Sequence, residues 1–408
     1  MKHTFLTLAL CCICTFLPAQ SLLKDINKTG SSYPFALTPI SEKEMLFFAE
    51  DSVHGVGLWK TNGTENGTQF IKTAPFQELI RFSPKIIKGK MYYLWGTYNG
   101  SNDHFVELHE SDGTSEGTKV IWQSSLYPAY SSDDQYVNTN THLFFALKNT
   151  QMQFLFSFDG TQVQLIDSFT TISHFQANEK KSYFYTSKNN VISVFESDGT
   201  KEGTKSIYEF PLLNSFYYPF YRLLKEELWL IQALSDSTIT RINLNTREVT
   251  DIPTPKPRSI IHFQATNKGI IGSNSENIVA FEEQTGQFKT LFTVPDGLRI
   301  KLPVYGKNKM YFVTETPAHK IDLYVTDLNS FEIQLVAKID TTNGSPIPEP
   351  ISFPLTVIND IAYFRGPCNG VEWWQSDGTK EGTFCLKDIY EGESSGCFPL
   401  MEIDFVNN

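Results

Sequence analysis

Cysteine is scarce in this chain: six in 408 residues, with Cys11, Cys12 and Cys14 crowded at the start. Only Cys368, Cys385 and Cys397 remain for a folded body, so a small disulfide-stapled scaffold is excluded. No His-Glu-x-x-His, Gly-x-Ser-x-Gly or phosphate-cradling glycine loop occurs, so zinc-protease, serine-hydrolase and nucleotide chemistry lack their motifs, and no cofactor is implied. Basic residues are outnumbered, 34 Lys and Arg against 45 Asp and Glu, for a net charge of −11. That deficit argues against nucleic acid, whose phosphates need a basic face, and against anionic lipid. Beyond the N-terminus no apolar run approaches the ~20 residues of a membrane-spanning helix.

The first residues carry an address. Lys2 and His3 precede an apolar stretch from Phe5 to Leu17, and Leu17-Pro18-Ala19 presents a small residue before Gln20. Residues 1–19 thus read as a secretory signal, with one domain over 20–408 and a secreted or cell-surface location. A lipid-attachment cysteine normally follows a small residue, and Cys11 follows Leu10.

What is abundant is aromatic: 32 Phe and 18 Tyr, a composition suited to pleated, half-buried surfaces. One phrase also returns. Ser111-Asp112-Gly113-Thr114-Ser115-Glu116-Gly117-Thr118 recurs with one change at Ser197–Thr204 and at Ser376–Thr383, with a looser copy at Thr61–Thr68. Each copy lies between two runs of period-two alternation, the pattern of a hairpin. A second hairpin lies upstream, as in Lys85-Ile86-Ile87, the turn Lys88-Gly89-Lys90, and Met91–Trp95. Fainter turns at Asp159-Gly160 and near 245, 285 and 327 complete a series near 62, 112, 159, 198, 245, 285, 327 and 377.

Units of four antiparallel strands with no helix-period segment predict an all-β propeller of eight blades, with seven or nine as alternatives. A linear β-solenoid is the runner-up. Complete blades span about 34–390. Leu22–Ile26 resembles Cys385–Ile389 and reads as a surplus fourth strand, and residues 398–406 read as a surplus first strand.

The phrase itself is explained by turn chemistry. Asp112, Asp159, Asp198 and Asp377 accept backbone amides ahead of them. Both glycines of each copy, Gly113, Gly199 and Gly378 among them and Gly160 in the fainter copy, are expected to supply positive φ. A calcium loop needs six to eight oxygen ligands and several carboxylates, whereas each copy offers one Asp and at most one Glu, so no metal site is expected.

Glu107-Leu108-His109-Glu110-Ser111-Asp112-Gly113-Thr114 and Glu372-Trp373-Trp374-Gln375-Ser376-Asp377-Gly378-Thr379 resemble the ELWxxDGT repeat family, as does the trailing Leu386-Lys387-Asp388-Ile389. The resemblance implies a secreted bacterial protein, in a family that often carries a C-terminal type IX sorting domain and has no established catalytic residues to transfer. The turn is also similar to the Asp-box of sialidases, which caps a propeller hairpin.

If the phrase is scaffold, binding belongs to the variable loops on the opposite face. Two stand out: one with Trp95, Tyr98, Asn99, Asp103 and His104, and one running from Phe216 to Tyr221 with Tyr217 and Tyr218. Aromatic rings beside polar groups suit a protein or glycan partner. An enzyme acting on glycans is the alternative, and a purely structural surface component is another. Cys385 lies just past its turn, while Cys368 and Cys397 lie in loops assigned to the far face. Crossing a strand of ~5 residues is ~16 Å, so Cys368–Cys397 is the expected bridge, with Cys385 buried and free.

Overall fold

The computed structural model describes residues 23–74, 80–81, 84–98, 104–128, 136–211, 220–231, 238–253, 262–295, 298–315, 320–340, 355–368 and 371–387. They form eight antiparallel sheets in chain order, a β-propeller of eight blades. Blade 1 shows the plan: Phe35–Pro39, Met45–Asp51, Gly55–Thr61 and Gln69–Thr73 pair in sequence order. In blades 2 and 3 the first strand is broken into two pieces, both paired to the second strand. Among the described residues no helix is long and apolar enough to cross a membrane.

Short-range chemistry sets the hairpins. Lys88-Gly89, Asn189-Asn190 and Asn359-Asp360 place both central residues at positive φ, the mirror-image turns whose twist matches that of the flanking strands. Alternation then sends each strand's apolar residues to the two faces of the blade, so the core lies between blades. Seven apolar clusters each join consecutive blades, from Leu46 and Phe48 against Met91 and Tyr93 (blades 1 and 2) to Tyr311 and Leu323 against Val357 and Phe364 (blades 7 and 8). The first strands pack side by side, Ser173–Ala177 on Phe220–Leu224 and that on His262–Ala265, which places them innermost.

Every turn between third and fourth strands is tied to what precedes it. Lys72 Nζ of blade 1 donates to Thr118 O at 2.6 Å, Lys88 Nζ to Asp159 O at 3.2 Å, and Ser157 Oγ to Gly199 O at 2.7 Å. Arg247 of the blade 5 turn reaches Glu196 of blade 4, and Arg241 of blade 5 reaches Glu283. Lys268 and Lys309 donate to Ser330 O and Asp377 O. For blade 1 the donor is Lys24, at 2.6 Å from Thr68 O.

The N-terminal segment therefore acts as the blade before blade 1. Ile26 packs with Phe47, Ala49, Trp59 and Phe70 on the face of blade 1 turned away from blade 2. The expected surplus strand is not a strand over the described residues 23–26. Among the described residues, Lys24 and Ile26 hold it, without a sheet ladder. The other proposed surplus strand, 398–406, lies outside the described residues.

The disulfide differs from expectation. Cys368 is bonded to Cys385, with Cα atoms 6.2 Å apart, and Cys385 is half-buried. The expected strand order in this blade holds, but the assumed separation does not. Cys385 faces Trp374, in the middle of the third strand Val371–Ser376, while Cys368 follows Pro367, which pairs with Val371. Cys368 thus lies back over the blade, within bonding distance of Cys385. Cys397 lies outside the described residues. Reduction, or Cys385→Ser, is expected to destabilise the protein by about 3 kcal/mol, as for a closed loop of this length. Denaturant melts with and without reductant check it, and non-reduced peptide mapping that joins Cys397 to either partner would contradict the pairing.

Candidate functional site

The repeated turn spends its polar atoms on itself. Asp112 Oδ1 accepts from the Thr114 amide at 2.9 Å and the Thr114 hydroxyl at 2.7 Å. The Gly117 amide donates to Thr114 Oγ1 at 2.9 Å, the Thr118 hydroxyl donates to Thr114 O at 2.6 Å, and Ser111 Oγ meets Thr118 Oγ1 at 2.7 Å. The copies at Asp198 and Asp377 repeat these bonds, and Asn62 stands in for Asp in the looser one. The Thr114 hydroxyl and amide hold the Asp112 carboxyl below its ordinary range, and the Thr161 hydroxyl leads the groups that bring Asp159 down to about 2.

The two glycines of each copy act differently, contrary to the expectation of positive φ at both. Gly113, Gly199 and Gly378 have φ of +83°, +97° and +90°. Gly117, Gly203 and Gly382 are not left-handed. An added Cβ there would stand 2.0–2.1 Å from the Oδ1 of Asp112, Asp198 or Asp377. The first glycine serves the backbone, the second the carboxylate.

Of the residues proposed for binding, Trp95, Tyr98 and His104 lie among the described residues. Trp95 lies in the second strand of blade 2, Lys90–Tyr98, rather than in a loop, and is only 4 % exposed. Its ring packs against Phe48 at 5.2 Å and Tyr93 at 6.1 Å between blades 1 and 2. The reason is length: this strand runs nine residues, so the hairpin continues past the point where sequence alternation ends. Tyr98 and His104 close that ladder as a cross-strand pair. Asp103, Tyr217 and Tyr218 lie outside the described residues.

Among the described residues, two histidine–carboxylate pairs are present. His109 Nε2 is 2.9 Å from Glu107 Oε2 and its ring stacks on Tyr93 at 4.8 Å. Burial pushes the His109 imidazole below its usual range against the pull of Glu107, and burial pushes the Tyr93 hydroxyl up. The pair is sealed between blades and is a packing element. His54 Nδ1 meets Asp51 Oδ2 at 2.7 Å, with the ring stacked 3.9 Å from Phe70 in the turn between second and third strands. Among the described residues no three His, Cys, Asp or Glu side chains converge as a metal site.

The axis carries a different signal. The ten segments forming the eight first strands contain no Asp or Glu, although the chain as a whole has a net charge of −11. They contain Arg81, Lys85, Arg222, Arg299 and Lys301, with His174 and His262. Lys85 lies over the Tyr136 ring at 5.7 Å. His174 stacks on Tyr185, and Gln176 accepts the Leu223 amide of the next blade.

His-Phe-Gln-Ala occurs at 174–177 and again at 262–265, at matching places in the first strands of blades 4 and 6. This repeat is the sequence signal that marks the inner strands. Between the two copies lies the blade 5 strand that bears Arg222. Burial lowers the His262 imidazole, and the Arg222 charge lowers it further.

No family model and no curated protein matches the chain. Among solved structures it is similar to a puromycin hydrolase, at 10% identity and a TM-score of 0.39, over 85% of this chain and 60% of that one. It thus spans less than two thirds of that enzyme. It is similar to TolB from Acinetobacter baumannii at 13% identity and a TM-score of 0.34, over 72% and 78% of the two chains. It is also similar to the β-propeller domain of the Trilobed protease from Pyrococcus furiosus at 10% identity and a TM-score of 0.40, over 77% and 100%. These likenesses carry no activity, substrate or partner to this chain.

Proposed function

We propose that the chain is a secreted or surface-held propeller that binds protein or glycan without transforming it. The observation that carries this reading is the division of labour in each blade. The repeated turns consume their own hydrogen-bonding groups and tie each blade to the one before it. Recognition then falls to the inner strands and the connections opposite the turns, as is usual for a rigid scaffold with variable loops. The Cys368–Cys385 bond fits an oxidising compartment, in keeping with the signal-like residues 1–19 and the ELWxxDGT resemblance.

The alternative, an enzyme acting on glycans, calls for two carboxyl groups flanking a scissile bond. At the axis the first strands bring basic residues instead. A glycan array and a surface-protein pull-down with the mature chain test the proposal. Saturable binding with the ligand recovered at unchanged mass supports it, and release of cleaved product overturns it.

A further inference from the structure

We propose that one seat on blade 1 serves two segments of this chain in turn: the N-terminal stretch Leu23–Ile26, and the end of the fourth strand of blade 8, which displaces it. The exchange is independent of what the propeller binds.

The two segments are the same peptide, Leu23-Lys24-Asp25-Ile26 and Leu386-Lys387-Asp388-Ile389. The seat has two parts. Lys24 Nζ donates to Thr68 O of the blade 1 turn at 2.6 Å, and Ile26 packs with Phe47, Ala49 and Trp59. One blade on, a fourth strand fills the same two places. Lys72 Nζ donates to Thr118 O at 2.6 Å, and Ala74, two residues later, packs in the cluster between blades 1 and 2. Thr68 and Thr118 hold the same position in their copies of the turn. Lys24 and Ile26 thus do what a fourth strand does.

The fourth strand with the matching claim is Phe384–Lys387. In blade 1 Lys72 is paired with Leu58 and Phe70 with Trp59, with a register shift between the pairs. In blade 8 Lys387 is paired with Trp373 and Cys385 with Trp374, with the same shift. Lys387 therefore stands in blade 8 where Lys72 stands in blade 1, and Ile389 follows it by two residues as Ile26 follows Lys24. In a ring of eight blades, blade 8 is the one before blade 1.

Identical side chains offer the seat identical contacts, so the cost of ordering decides between the segments. The N-terminal stretch is ordered for the contacts of Lys24 and Ile26, without a ladder. Lys387 is already paired to the blade 8 sheet, so less freedom remains to be lost when it docks. Exchange lets the N-terminus leave while the blade 1 turn stays capped.

The test is a double-mutant cycle in urea melts of the chain: Lys24→Met, Lys387→Met and the pair. Each single variant is expected to shift the midpoint little, because the other segment takes the seat. The pair should shift it at least about twice the sum of the singles. Ile26→Ala and Ile389→Ala repeat the cycle on the apolar half of the seat, with the same outcome expected. Trypsin gives a second readout, since cleavage after Lys24 follows the fraction of molecules with that stretch out of the seat. Lys387→Met removes the competitor and should slow that cleavage about threefold or more, followed by mass. Additive shifts in both cycles, or cleavage after Lys24 no slower in Lys387→Met, overturn the proposal.

Discussion

Gly117→Ala is expected to destabilise the protein by about 3–4 kcal/mol, since the turn must open and give up several hydrogen bonds at once. The added Cβ would stand 2.0 Å from Asp112 Oδ1. Relief requires the carboxylate to leave Thr114, which ends the 2.9 Å and 2.7 Å bonds. Gly63→Ala is the control. Its φ is +82° with nothing within 4 Å of an added Cβ, so only the backbone penalty of about 1–2 kcal/mol applies. The sharper check is a double-mutant cycle. Asp112→Ala added to Gly117→Ala should recover at least about 1 kcal/mol, because it removes the group the new Cβ strikes. Strict additivity in urea melts would refute the steric account.

Arg247→Met is the second large effect, expected at about 3 kcal/mol, the lower end of the cost of stranding a buried charge. Arg247 Nη2 holds both oxygens of Glu196, at 2.8 Å and 2.7 Å, and that carboxylate is 0 % exposed. Lys181 at 3.0 Å and Lys205 at 3.7 Å remain beside the carboxylate, which keeps the expected cost at that lower end. Glu196→Gln should cost less, about 1–2 kcal/mol, because the cations it releases can rehydrate.

The pH dependence follows from the same contacts. Burial alone would raise the Glu196 carboxyl, but hydrogen bonds from Arg247 and Lys181 outweigh it and hold the group below its ordinary value. A carboxyl lowered on folding contributes stability above its unfolded value of about 4.3, and that contribution is lost as pH falls through the folded one. The turn carboxyls of Asp112, Asp159, Asp198 and Asp377 are lowered too and act in the same direction. Acid unfolding is therefore expected to set in below about pH 4 and to move upward in Arg247→Met. An unchanged acid midpoint in that variant would remove Glu196 from the account.

The readable parts of this fold were the local ones. A hairpin turn is complete within Ser111–Thr118, so its aspartate, first glycine and threonines could be assigned roles from sequence, and counting such turns counted the blades. The second glycine was misassigned because its reason is the folded position of a side chain five residues back. Trp95 was misplaced because a strand's length depends on its partners, and blade 2 extends its central hairpin to Tyr98 and His104. The bridge was misassigned because straight-strand distances do not apply to Cys368, which lies past the end of its strand with its Cα 6.2 Å from that of Cys385.

By itself the sequence determined the four-strand unit, its repetition eight times and the turn that builds it, since alternation and turn chemistry act over a few bonds. Only the tertiary structure decided what lies between units. It set which lysine caps which turn, that Lys24 and Ile26 take the part of a preceding blade, and that Cys368 finds Cys385. Those partners are remote in sequence, and only the packing of blade on blade brings them together.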